Sequence, residues 1–165
     1  MTLLTNPTYT PIQTKTLVSA QSTVSFTSIP STYTDLILIC NATLTSGTSA
    51  FGIAFNGQSS TYSYTYMYGD GSSANSGRTG GPNVHIGHAG SVPDTVKAHI
   101  MNYSNTTTYK TVIATSSLAN AYEMATVGLW QYTLASSAIN QIDISPDSST
   151  FAAGSTFTLY GILAA

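Results

Sequence analysis

Charge is what this sequence has least of. Asp, Glu, Lys and Arg make up 6% of its 165 residues, against about a quarter in an ordinary globular domain. Ser and Thr fill the vacant places. A hydroxyl-rich, charge-poor surface tolerates close contact with neighbours, because few charges have to be desolvated. It is equally what a plain threonine-rich β surface looks like, since threonine favours strands. The four cations, Lys15, Arg78, Lys97 and Lys110, are scattered. Nucleic-acid binding needs several Lys or Arg together to neutralise phosphates, so no nucleic-acid partner is expected.

Cysteine is nearly missing too. Cys40 stands alone, which excludes an internal disulfide. In the apolar run Leu36–Cys40 it is expected to pack as a small buried hydrophobe, and a fold without disulfides suits a reducing cytoplasm. No apolar run approaches transmembrane length. The opening residues, Met1-Thr2-Leu3-Leu4-Thr5-Asn6-Pro7, have neither a basic region nor a hydrophobic stretch, so neither a membrane partner nor a signal peptide is expected. Helical periodicity is almost absent, and only Ser116 to Tyr122 is compatible with a single helical turn.

What is present is alternation, the signature of half-buried strands. Val24 and Phe26 share a face, and Ile29-Pro30 closes that strand. Leu36 to Leu44 alternates, with a first half apolar on both faces, as in a central sandwich strand. Phe51, Ile53 and Phe55 share a face, and Asn56-Gly57 supplies a hairpin turn because both residue types tolerate positive φ. Tyr62 to Tyr68 is the next strand, stopped by Gly69-Asp70-Gly71. A Gly- and Ser-rich loop carrying Arg78 is expected over 72–83, and loops of that length are usually functional or mobile. Further strands are expected at Val84–Gly87, around Val96, Ala98 and Ile100, at Tyr109–Ala114 after a polar turn at Asn102–Thr107, at Ala125–Trp130 with Val127 and Leu129 on one face, at Ile139–Ser145, and around Phe157, Leu159 and Ile162. Eight to ten strands at regular spacing predict an all-β fold, a two-sheet antiparallel β-sandwich of jelly-roll type. Residues 16–165 form the single domain. Residues 1–15 are an extended N-terminal arm or a first edge strand, with Pro7 and Pro11 disfavouring regular structure.

Residue patterns that would carry chemistry are scarce. His85-Ile86-Gly87-His88 has a three-residue spacing, which on a regular strand sends the two imidazoles to opposite faces. Zinc would also want a third ligand and a carboxylate base, and no motif ties in His99 or Glu123. Asp70-Gly71-Ser72 is a faint calcium-loop pattern, better read as a turn aspartate bonding its own backbone. No spacing brings Asp70, Asp94 and Glu123 together. There is no Gly-x-Ser-x-Gly elbow, and Gly77-Arg78-Thr79-Gly80-Gly81 lacks the lysine and helix of a phosphate loop. The expectation is a non-enzyme with no catalytic residues, no metal and no cofactor. The sharp feature is Tyr62, Tyr64, Tyr66 and Tyr68 at period two, which places four rings on one face of a strand. They read as cross-strand packing, as a subunit interface, or as a glycan-contact ridge. Asp70 and Arg78 mark the candidate exposed loop beside them.

Four stretches in order carry a resemblance: Ser25-Phe26-Thr27-Ser28-Ile29-Pro30-Ser31-Thr32-Tyr33-Thr34-Asp35-Leu36, Tyr68-Gly69-Asp70-Gly71-Ser72-Ser73, Gly128-Leu129-Trp130, and Ala153-Gly154-Ser155-Thr156-Phe157-Thr158-Leu159-Tyr160-Gly161-Ile162. Together they resemble small β-rich virion structural proteins of tailed bacteriophages, notably cyanophages, from about Tyr9 to Ile162. The resemblance implies a virion component without enzymatic activity, occurring alone or as a module on fibre-like proteins, and it supplies no catalytic residues. The first reading is a capsid decoration, or cement, protein on the head exterior, made in the host cytoplasm. Its partners would be the major capsid protein and copies of itself, as a homotrimer. The alternative is a fibre or tail-tip adhesin binding host surface glycans. The same motifs have a plain physical reading, with Gly128 allowing close approach beside the Trp130 ring.

Overall fold

The computed structural model describes residues 8–60, 62–119, 122–130 and 137–163. Its named elements are twelve strands: β1 Tyr9–Thr16, β2 Val24–Phe26, β3 Asp35–Ala42, β4 Ser49–Phe55, β5 Tyr62–Gly69, β6 Ala74–Gly81, β7 Val84–Ala89, β8 Asp94–Met101, β9 Lys110–Leu118, β10 Tyr122–Trp130, β11 Ile142–Pro146 and β12 Thr156–Ile162. They form an eight-stranded sheet, ordered β1-β12-β3-β8-β9-β10-β5-β6, and a four-stranded sheet, ordered β2-β11-β4-β7. Every pairing is antiparallel. The fold is the all-β sandwich that the alternation predicts, with more strands than the eight to ten expected.

The pairings β3–β8, β4–β7 and β5–β6 nest inside one another, as in a ribbon folded over into a jelly roll. Two additions enlarge one sheet only. The β9–β10 pair is inserted between β8 and β5, and β12 with β1 extends the sheet beyond β3. The two sheets are therefore unequal, and the β5–β6 edge projects past the four-stranded sheet.

The core lies between the sheets. Phe51, Phe151 and Phe157 meet edge to face, with ring centroids 5.6 and 5.0 Å apart. Leu36, Leu38, Cys40 and Ala42 of β3, and Val96, Ala98 and Ile100 of β8, bury the opposing layer. Removing a ring from such a layer costs about 3–5 kcal/mol. The second apolar face of β3 is satisfied without a second sheet. Ile37 lies between Tyr160 of β12 and His99 of β8, and those cross-strand neighbours bury it. Cys40 is a free, fully buried thiol, whose pKa burial pushes far up.

Several local expectations change. The segment Ser116 to Tyr122 forms no helical turn where it is described, because β9 runs on to Leu118 and β10 begins at Tyr122. The expected loop at 72–83 is largely strand β6, which pairs with β5 residue for residue from Ala74 to Gly81. Its polar, glycine-rich sequence misreads as loop because neither face of this edge strand is in the core. Asn56 and Gly57 both adopt positive φ, and Gln58 N–H closes the turn on Phe55 O at 2.9 Å. The turn is no hairpin, however: it carries the chain from the four-stranded sheet to the eight-stranded one. The bound Tyr62 hydroxyl fixes it, accepting from Phe55 N–H at 2.7 Å and donating to Gln58 O. Pro11 does not prevent regular structure. It sits in edge strand β1, where the pairing with β12 shifts between Pro11 and Gln13. Gly128 does allow close approach, but to Val84 of the facing sheet, where any β-carbon would collide. The expected contact with the Trp130 ring and the orientation of Leu129 lie outside the described residues, as does the part of the expected arm over residues 1–7.

Candidate functional site

The hairpin joining β5 to β6 is built around one side chain. Asp70 Oδ1 accepts from the backbone N–H groups of Ser72 and Ser73 at 2.9 and 2.8 Å. Gly71 supplies the positive φ of +83°. These bonds stabilise the ionised carboxyl and hold its pKa well below the usual range. Asp70 is thus a turn-former. Arg78 is exposed, on β6 rather than on a loop, opposite Thr65 in the register of β5.

The four tyrosines share a face, but that face is the inner one, and their environments differ along the strand. Tyr62 and Tyr64 are buried, whereas Tyr66 and Tyr68 are half-buried, beyond the cover of the four-stranded sheet. Successive rings lie 6.0 Å (Tyr64–Tyr66) and 6.1 Å (Tyr66–Tyr68) apart, the second pair near parallel at 26°. Tyr66 leans over Gly77 of β6, where a β-carbon would come within 2.7 Å of its hydroxyl. Burial, aided by Asp147 and Tyr66, raises the Tyr64 hydroxyl pKa to about 12. It therefore stays a neutral donor and acceptor.

The two histidines of β7 join this row, contrary to the expectation that they point to opposite faces. In the pairing of β7 with β4, Phe51 faces Gly87 and Gly52 faces His85, so Ile86 is an extra residue without an opposite number. A bulge of this kind restores the side-chain phase across three residues. His85 and His88 consequently both stand on the outer face of the four-stranded sheet, at its edge. The His85 ring lies 4.9 Å from that of Tyr64. Its Nε2 is 3.0 Å from Asp147 Oδ2, just after β11. Burial, then proximity to His85, lowers the His88 pKa.

Overhang and edge together form an open cleft of about 460 Å³, lined by Tyr64, Tyr66, Tyr68, Thr79, His85 and His88, with Ala50 and Met124 completing it. A second hollow of about 570 Å³ lies round the tip of β5–β6, on the far side of Tyr68, and is walled largely by small and apolar residues. Nothing in the sequence flags Asp147 as a partner of His85, and the β7 bulge has no signature beyond the Gly87 that follows Ile86. Asp70 and Arg78 are not brought into the cleft.

The outer face of the eight-stranded sheet is a separate surface. Ile113, Val127 and Thr65 stand in one row across β9, β10 and β5, and Thr115, Ala125 and Met67 in the next. Ile113, Val127 and Met67 are 44, 54 and 62% exposed. Lys97 and Arg78 flank these rows, and Asp35 farther along is engaged by His99 Nε2 at 2.8 Å.

Among the described residues no group of three or more His, Cys, Asp or Glu side chains is placed to hold a metal ion, and no helix is long and apolar enough to cross a membrane. No family model and no curated protein matches the chain. Among solved structures, an alginate lyase in complex with an alginate tetrasaccharide is 10% identical over 92% of this chain and 81% of its own, with a TM-score of 0.27. A likeness that slight carries neither fold nor chemistry from one protein to the other.

Proposed function

We propose that this chain is a non-enzymatic virion protein that works by association, a decoration protein bound to the exterior of a tailed-phage head through the outer face of its eight-stranded sheet. The supporting observation is the composition of that face. Three adjacent strands present exposed Ile113, Val127 and Met67 among threonines, and among the described side chains Lys97 and Arg78 carry charge at the flanks of these rows. Burying such a face desolvates little charge and gains apolar contact, the pattern of the centre of a protein interface. The resemblance of the motif-bearing stretches to phage virion proteins supplies the setting. The partners in this reading are the major capsid protein and copies of the chain itself, arranged as a homotrimer.

Gold-labelled antibody on purified virions tests the location. Label over the heads is expected, and label restricted to tails, or none on intact or opened particles, overturns the reading. The face is tested by Val127→Asp combined with Met67→Asp. This variant is expected to keep its far-ultraviolet dichroism and lose binding to heads stripped of the parent protein. Undiminished binding removes this surface from the proposal.

A further inference from the structure

The cleft between the β5–β6 overhang and β7 plays no part in head docking, because it opens on the other side of the eight-stranded sheet. Its lining is unusual in kind. Three tyrosines, two histidines and a threonine supply hydroxyls and ring nitrogens, while no Lys or Arg lines it among the described residues. Among the described residues the carboxylate beside it, Asp147, is engaged with His85. A ligand here meets aromatic carbon and hydrogen-bonding groups in alternation.

That combination selects a chemical class. An anionic ligand finds no fixed cation to offset its desolvation. A purely apolar ligand would take the hydroxyls of Tyr66 and Thr79 out of water and offer them nothing in exchange. A molecule that carries hydroxyls at its edge and presents aliphatic C–H faces meets both requirements, and tyrosine, with an apolar body and a polar tip, is suited to it. The near-parallel rings of Tyr66 and Tyr68, 6.1 Å apart, form a repeat along β5 able to follow an extended chain of such units. The volume of about 460 Å³ falls in the range of small-ligand sites, roughly 300–1,000 Å³. We propose that this cleft binds an uncharged oligosaccharide, with Tyr66 and Tyr68 as the stacking platform and His88, Tyr64 and Thr79 as hydrogen-bonding groups.

The test is titration calorimetry of the full chain at about pH 7.5. The neutral probes are laminarihexaose, cellohexaose, mannohexaose and maltohexaose, and the acidic probe is tetragalacturonate. At least one neutral probe is expected to bind, and tetragalacturonate is not. Tyr66→Ala is expected to weaken binding tenfold or more. Because that change also alters packing over Gly77, Thr79→Arg is the companion variant: an exposed position on β6, whose new side chain fills the cleft without touching the core. It is expected to abolish binding with an unchanged melting temperature. No heat with any neutral probe, tetragalacturonate as the only binder, or full affinity in Thr79→Arg each overturns the proposal. These outcomes are independent of where antibody finds the protein on the virion.

Discussion

The carboxyl of Asp94 is fully buried at the start of β8. It sits against Gly87 of the facing sheet, where a β-carbon would collide with it. Burial raises its pKa to about 7, and the nearby amides of Ser117, His88 and Thr95 offset only part of that. An unfolded chain titrates this group near about 4. Between those values the native state holds a proton that the unfolded state has lost, so Asp94 makes stability fall as pH rises from about 4 to 7 and leaves it flat above. His88 is shifted in the opposite sense for its type, and the comparison with an Asp94→Asn variant cancels it. The melting temperature of Asp94→Asn is expected to pull ahead of the parent progressively across that interval, by about 5 °C or more at pH 8. A gap independent of pH would show that Asp94 does not titrate there.

Elements differ in how much of them the sequence declares. The strands that feed the core, β3, β4, β8 and β12, announce themselves by alternation, because one side of each is sealed by the opposite sheet. Strand β6 does not, since its residues stand at an uncovered edge and burial imposes no pattern on Ala74–Gly81. The cleft is half legible for the same kind of reason. The shared face of the tyrosines follows from period two, whereas the arrival of both histidines follows from one unpaired residue, Ile86, which no periodicity reveals. The connection from β8 to β9 illustrates a third case. Lys110 reads as one more scattered cation, and it is fully buried. Its ammonium donates to the carbonyl of Asn105 and, at 2.9 Å, to that of Thr108, while Asn105 Oδ1 caps Thr107 and Thr108 from within the turn. Lys110→Met keeps the aliphatic stem and leaves those carbonyls without this donor. It is expected to cost about 2 kcal/mol or more, measured by urea unfolding. A loss below about 0.5 kcal/mol, the level of an ordinary surface change, would show the amine to be dispensable.

At the scale of the whole molecule, charge poverty predicts how an assembly built from it behaves. Contacts made by apolar and hydroxyl groups are not screened, whereas exposed ion pairs are weakened once the Debye length shrinks to about 3 Å at 1 M salt. Under the proposed decoration role, the protein is therefore expected to stay on the head when purified virions are moved from about 0.1 to 1 M sodium chloride, as read by sedimentation and gel densitometry. Release by salt alone would place Lys97 and Arg78, rather than the apolar rows, at the heart of the contact.

Strand β12 lies between β1 and β3 in the eight-stranded sheet. The opening segment therefore hydrogen-bonds to a strand synthesised more than a hundred residues later, with Tyr9 opposite Ile162. On the ribosome, β1 has no partner and β3 keeps a bare edge until β12 has been made. Pairings of such long sequence separation are slow to form and leave aggregation-prone edges exposed meanwhile. Closure of the eight-stranded sheet is thus a late event in making this fold, and the strands made earlier must be kept from their neighbours until β12 pairs with β1 and β3.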